Sequence, residues 1–147
     1  MTEQTLESKP VFVACYGSLR SLMGNHRVNA MAGGTVVGLG HTKDNHDLFA
    51  YCSGFPSVSL KHNDNNLPVR VEVYETTEAG LTGPYDRLEG YPNFYNRTLI
   101  PVVLDDGSEV DCYIYHIDQV SGPLVENNDW CLRKYGPNYY EDLANAT

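Results

Sequence analysis

The chain has 147 residues, a formal net charge of −9, 41% hydrophobic and 20% charged residues, which suits one soluble domain with a sizeable core. Only 10 Lys and Arg are present against 19 acids, with no basic run. That balance argues against nucleic acid as a partner, since counterion release needs clustered positive charge.

In chain order, residues 1–9 read as a loose polar tail without the basic start and apolar stretch of a signal peptide. "VFVACY" (11–16) is a compact strand halted by "GSLR", and 21–32 carry a helical turn or two. "GGTVVGLGHT" (33–42) is a strand whose glycines predict bulges. Residues 47–60 read as strand, turn, strand, and "KHNDNN" (61–66) as a hairpin turn. "LPVRVEVYET" (67–76) alternates Val69, Val71 and Val73 against Arg70, Glu72 and Tyr74. Thr77 is placed to cap one short helix. Thr82 or Gly83 is placed to cap a second, with Pro84 at its first position and Gly90 as its stop. "YNRTLIPVVLDDGSEVDCYIYHI" is a hairpin turning at Asp106-Gly107. Residues from about 135 onward are expected to be a second loose tail. The fold class expected is α+β, mostly β: a small antiparallel β-barrel with short flanking helices, forming a single domain over 1–147.

The spacing of Cys15, Cys52, Cys112 and Cys131 contains no C-x-x-C. Without a secretion signal they are expected to be reduced thiols in a cytoplasmic protein. No apolar run reaches the ~20 residues of a membrane helix, so no membrane partner is expected. Phosphate-loop, dinucleotide and nucleophile-elbow motifs are missing. His41 and His46, five apart, match no zinc spacing, and the "HNDNN" of 62–66 lacks the glycine and glutamate of a calcium loop. No metal site and no cofactor are expected.

Two stretches remain. "YGSLR" (16–20) follows a buried strand, and its sharp turn can offer successive N–H groups to an anion; an ordinary strand–loop turn is the alternative. In "RLEGYPNFYNR" (87–97), Glu89 stands before Gly90-Tyr91-Pro92 with Phe94 and Tyr95 nearby. A carboxylate desolvated by such neighbours gains basicity; an exposed helix-end glutamate is the alternative. Arg97 is read as the partner of a neighbouring acid.

Together the two stretches resemble the γ-glutamylcyclotransferase family, including its AIG2-like and γ-glutamylamine cyclotransferase branches. Tyr16-Gly17-Ser18-Leu19 matches its Y-G-S/T-L, and Leu88, Glu89, Gly90, Tyr91, Pro92, Tyr95 and Arg97 match its E-G-Y-P-x-x-Y-x-R segment. "GNHRVNA", "GFPSV", "VEVYE", "CYIYHI" and "NDW" resemble further family elements, so the likeness spans about residues 11–132. Val71 stands where the family usually carries Gly, and "TGP" (82–84) interrupts what is often a continuous helix. The resemblance implies release of 5-oxoproline from a small-molecule γ-glutamyl substrate through attack by its own α-amine. It implies Glu89 as general acid and base, backbone N–H groups of Gly17, Ser18 and Leu19 as the anion site, Tyr16 as a pocket residue that orients Glu89 or the substrate, Tyr95 as a supporting hydroxyl for Glu89, and Tyr115 as a further pocket residue. For Tyr95, core packing beside the hairpin is an equal alternative. A monomer or homodimer fits, as does the second reading, a non-catalytic binding or protein-interaction module on the same fold.

Overall fold

The computed structural model describes residues 9–51 and 54–146. Seven strands run in the order β1 Val11–Cys15, β2 Thr35–Thr42, β3 Asp47–Tyr51, β4 Phe55–Ser59, β5 Arg70–Thr76, β6 Asn96–Leu104 and β7 Glu109–His116. Five close into a barrel, β1-β5-β2-β6-β7. Four of its seams are antiparallel, and the fifth, β1 on β7, is a parallel contact at Val13 and Tyr113. The expected bulge falls on β2, whose register against β5 shifts between Val36 and Gly38. The β6–β7 hairpin turns at Asp106-Gly107 with Gly107 at φ 92°, a conformation open to glycine because it lacks Cβ.

β3 and β4 pair as a separate two-stranded sheet, and β3 is bridged on its other edge by Leu124 at Phe49. "KHNDNN" is therefore not a hairpin turn: it carries the chain from that sheet to β5 in the barrel. Asp47 holds this crossover, accepting the N–H groups of Asp64 (2.9 Å) and Asn65 (2.7 Å). The small sheet is docked on the barrel by Ile117 N–H donating to Val58 O at 3.0 Å.

Alternate residues of β1 divide between two buried clusters. Ala14 joins Val69, Val71, Val73, Ile100, Val102, Cys112 and Ile114, together with Leu48, Ala50 and Val58 of the small sheet. Val13 and Cys15 join Tyr74, Leu81, Tyr85, Tyr95 and Tyr115 on the other face. Both faces of β5 are covered, so the polar side of its alternation, Glu72 and Tyr74, is buried too.

The helices are short. α1 is Arg27–Met31, α2 Glu78–Gly80, α3 Asp86–Glu89, α4 Trp130–Lys134 and α5 Tyr139–Asn145. Thr77 caps α2 by accepting Gly80 N–H at 3.2 Å. Neither Thr82 nor Gly83 starts a new helix, however. The chain continues from α2 through a π-turn, Leu81–Tyr85, into α3, with Asp86 N–H donating to Leu81 O five residues back. A proline ring inside an α-helix collides with the carbonyl four residues earlier; the widened turn makes room for Pro84 without breaking the helix. Gly90 ends α3 in the left-handed conformation at φ 67°, as its position predicts.

The C-terminal segment is not a loose tail. Tyr139 at the start of α5 is fully buried and donates its hydroxyl to Ser21 O at 2.7 Å. Cys15, Cys112 and Cys131 are buried free thiols; Cys52 lies outside the described residues. Among the described residues no helix is long and apolar enough to cross a membrane.

Candidate active site

A cavity of about 310 Å³ opens where β1 ends. Its wall is assembled from three places: the end of β1 and the following turn (Val13 to Leu19, with Asn25), the start of β4 (Phe55, Pro56), and the end of α3 with its loop (Leu88, Glu89, Phe94, Tyr95), closed by Tyr115 of β7. The seven residues expected at the site, Glu89, Tyr16, Gly17, Ser18, Leu19, Tyr95 and Tyr115, all line it.

The turn is tied down from behind. Arg20 N–H donates to Gly17 O (3.0 Å), Asn25 N–H to Ser18 O (2.8 Å) and Asn29 Nδ2 to Leu19 O (2.8 Å). All three carbonyls are thus engaged with residues 20–29, and among the described residues no protein acceptor takes the N–H groups of Gly17, Ser18 or Leu19. Gly17 is required sterically: a Cβ there would stand 2.5 Å from Pro56 Cγ, well inside contact distance. Asn25 Nδ2 also donates to Ser18 Oγ at 2.9 Å.

Below the turn lies a charged anchorage. Arg20 is fully buried. It donates to Asp129 Oδ1 (3.1 Å) and to Tyr140 Oη (2.9 Å), and its guanidinium lies 5.2 Å from the centre of the Tyr139 ring. Tyr140 in turn donates to Asp129 Oδ2 at 2.5 Å. Glu72 holds the next residue, accepting Ser21 N–H (2.7 Å), Ser21 Oγ (2.9 Å) and Tyr74 Oη (2.8 Å).

Glu89 is the last residue of α3. The following loop folds back on it: Tyr91 N–H reaches Asp86 O, Phe94 N–H reaches Gly90 O, and Tyr95 N–H reaches Glu89 O. Its side chain keeps limited access to solvent through the cavity while being densely surrounded by protein. Among the described residues no group donates a hydrogen bond to its carboxylate and no cation pairs with it. Desolvation without compensation pushes its pKa up to about 7, because burial penalises the charged form.

One helical turn earlier, Asp86 has the opposite surroundings. Arg97 donates to both its oxygens (2.8 and 3.1 Å), and Tyr115 Oη donates to Oδ1 at 2.6 Å. Arg97 also lies 4.2 Å from the Tyr91 ring centre. This group pins α3 to the β6–β7 hairpin and fixes where Glu89 emerges. Tyr115 thus presents its ring to the cavity while its hydroxyl is committed to Asp86. Tyr16 donates its hydroxyl to Tyr115 O at 2.8 Å, and Tyr95 donates to Pro56 O at 2.9 Å. Neither hydroxyl is bonded to Glu89. Burial raises the pKa of both phenols, with the Glu89 charge adding to it, so they stay protonated.

Reading the sequence alone overlooked Asp86, Arg20 and Glu72 as the residues that hold the site, and Asn25, Phe55 and Pro56 as its lining; Phe94, expected beside Glu89, does line it. Asp86 had a signal: it is three residues before Glu89, on one helical face, with an arginine in the same motif. Asn25 and Glu72 lie inside the "GNHRVNA" and "VEVYE" stretches. Among the described residues no group of His, Cys, Asp and Glu could hold a metal ion.

Residues 12–132 match the profile of the family described as "Gamma-glutamyl cyclotransferase, AIG2-like". A candidate gamma-glutamylcyclotransferase of Methanocaldococcus jannaschii is 33% identical over 119 residues, covering 81% of this chain and 94% of the relative. The crystal structure of an AIG2-like protein from Mus musculus superposes with a TM-score of 0.64 at 24% identity, over 76% of this chain and 80% of that one. An uncharacterized protein of Pyrococcus horikoshii superposes with a TM-score of 0.59 at 19% identity, over 85% and 93%. These two structures share the fold.

Proposed function

Because the chain belongs to the AIG2-like γ-glutamyl cyclotransferase family, we propose that it cyclises a γ-glutamyl amide to 5-oxoproline and releases the amine, with Glu89 as the sole acid–base group. The observation that carries this reading is the carboxyl of Glu89. It faces a cavity, lacks any hydrogen-bond donor among the described residues, and has its pKa pushed up to about 7. A base poised there takes a proton and returns it at neutral pH.

The substrate's α-ammonium loses a proton to Glu89 and the freed amine attacks the γ-carbonyl carbon. The new C–N bond closes a five-membered ring, and the γ-carbonyl oxygen carries the developing negative charge. When the ring re-forms its carbonyl, the bond to the leaving nitrogen breaks. Over the whole reaction the α-nitrogen goes from three hydrogens to one, and the leaving nitrogen goes from one to three. Glu89 carries the protons between them and ends in its starting state. Nothing is oxidised, and no water is consumed.

Both reactants belong to one molecule, so the pocket's task is to hold a folded conformer. Well-oriented intramolecular attack is worth up to about 7–11 kcal/mol. The free N–H groups of Gly17, Ser18 and Leu19 supply donors for the α-carboxylate or the oxyanion. The reading uses the buried, protonated hydroxyls of Tyr16 and Tyr95 as fixed walls, and Tyr115 as the link between the floor of the pocket and Asp86. It places the protein in the cytoplasm, working on a free small molecule without a cofactor.

The test is incubation with γ-glutamyl amines, γ-glutamyl amino acids and glutathione, with 5-oxoproline measured by mass. Turnover of at least one compound, lost by a factor of roughly 10²–10⁴ in Glu89→Gln, supports the reaction. Undiminished turnover in that variant refutes the mechanism.

A further inference from the structure

The mouth of the cavity carries a set of aromatic rings that the cyclisation itself does not use. Phe55 and Phe94 line the opening and are 38% and 44% exposed. Tyr51 stacks on Phe55 (5.1 Å between ring centres, 28° between planes) and meets Phe94 edge-on (5.5 Å, 87°). Phe55 and Phe94 face each other at 6.0 Å and 59°, and Phe94 rests edge-on against Tyr95 at 5.0 Å. Leu88, also lining the cavity, is 39% exposed. The rings are braced by one another, so their exposed faces are held in place in the absence of a ligand.

Charge narrows what this rim can accept. Among the described residues lining the cavity none is Lys, Arg or His, and Glu89 is the one carboxylate. A leaving group with its own carboxylate, as in any γ-glutamyl amino acid or peptide, would find no cation at the mouth. It would instead meet apolar rings, Glu89 and a chain of net charge −9. Stripping an anion of water without a partner is costly. A cationic leaving group gains little from the rings, since phenylalanine offers a weaker face to a cation than tryptophan does, and among the described lining residues the one counter-charge is Glu89, which the cyclisation reading assigns to the α-ammonium. An uncharged ring matches the surface, since two tilted phenyl groups leave room for a third in stacked or edge-on contact.

We infer that Phe55 and Phe94, backed by Tyr51, form the leaving-group subsite, and that the preferred substrates are γ-glutamyl amides of arylalkyl amines that lack a carboxylate. The inference rests on the cyclisation reading given above. Bond changes are the same: the γ-carbonyl to nitrogen bond breaks, and the arylalkyl amine leaves with the two hydrogens lost by the α-nitrogen.

The experiment compares four synthetic substrates: γ-glutamyl phenethylamide, γ-glutamyl ethylamide, γ-glutamylglycine and the mono-γ-glutamyl amide of 1,5-diaminopentane. Each is assayed for 5-oxoproline with the wild type, Phe94→Ala, Phe55→Ala and Phe94→Leu. The ratio of kcat/KM for phenethylamide over ethylamide is the readout. It is internal to each protein and independent of how much of a variant is folded. The wild-type ratio is expected to be at least about tenfold, falling toward one in both alanine variants. In Phe94→Leu, which keeps apolar volume but loses the ring, it should fall part of the way. A wild-type ratio near one with 5-oxoproline formed from both amides overturns the subsite and leaves the cyclisation standing. Faster turnover of γ-glutamylglycine or of the cationic amide overturns it as well. An unchanged ratio in the alanine variants moves the preference to another part of the protein. If none of the four yields 5-oxoproline, the reaction assignment itself fails, and the subsite with it.

Discussion

Asp86 and Glu89 lie one turn apart on the same short helix and stand in opposite surroundings. Asp86 receives three hydrogen bonds, from Arg97 and Tyr115; Glu89 receives none among the described residues and has its pKa pushed up to about 7. One carboxylate anchors the helix, and the other is left without a donor at its end.

Keeping Glu89 in that state costs stability, and the cost depends on pH. Its folded pKa, about 7, exceeds the ordinary 4.5, so the native protein holds this proton more tightly than the unfolded chain. The associated stability is fully present below pH 4.5 and is lost as pH rises through 7. The loss has an upper bound of about 3 kcal/mol, reduced to the extent that water reaches the carboxylate. Glu89→Gln has no such dependence. At pH 8 it is expected to melt several degrees above the wild type, with the two curves converging near pH 4. Thermal melts at both pH values check this.

On the proposed mechanism the same group is expected to set the acid limb of the rate. Only the ionised carboxylate can accept the α-ammonium proton, so kcat/KM is expected to fall about tenfold per pH unit below a midpoint near 7. A pH–rate profile on any accepted substrate measures it. A midpoint near 4.5 would mean that Glu89 titrates as an ordinary surface acid.

Gly17→Ala should damage turnover more than folding. The added methyl would stand 2.5 Å from Pro56 Cγ, and a proline ring has little freedom to withdraw. Relief must come from the turn, at about 1–3 kcal/mol of stability. A displacement of even 1 Å in the N–H donors is worth a factor of about 10² in rate. Steady-state kinetics beside a denaturant titration will separate the two effects.

Asp129→Ala removes the carboxylate from the fully buried Arg20. Leaving a buried charge unpaired typically costs about 3–5 kcal/mol. The variant is expected to unfold at markedly lower urea concentration, and the double variant Arg20→Met/Asp129→Ala to recover part of the loss.

Much of the barrel and the two stretches that line the cavity were readable because their signals are local. Val69, Val71 and Val73 alternate, Asp106-Gly107 marks its turn, and Glu89 and the Tyr16–Leu19 turn each sit in a short run of distinctive residues. What escaped depends on partners distant in sequence. Nothing near Arg20 indicates that Asp129 and Tyr140 will receive it, and the C-terminal residues look loose until that charge recruits them. The pairing of β4 with β3 rather than β5 is likewise invisible to periodicity, which reports which face of a strand is buried and not which strand lies beside it. Pro84 reads as a helix start by composition; only the π-turn, which no residue type specifies, keeps it inside a continuous helix.

The near-contact of Gly17 with Pro56 has a consequence for how the protein can fail. Gly17 lies in the turn leaving barrel strand β1 and Pro56 in the small sheet, so part of the pocket wall is a seam between two separately paired sheets. A fluctuation that lifts the β3–β4 ribbon would erase one wall while every barrel seam stayed hydrogen-bonded. Activity therefore reports on docking between the sheets, and a chain can be folded by every spectroscopic measure of its barrel and still be silent.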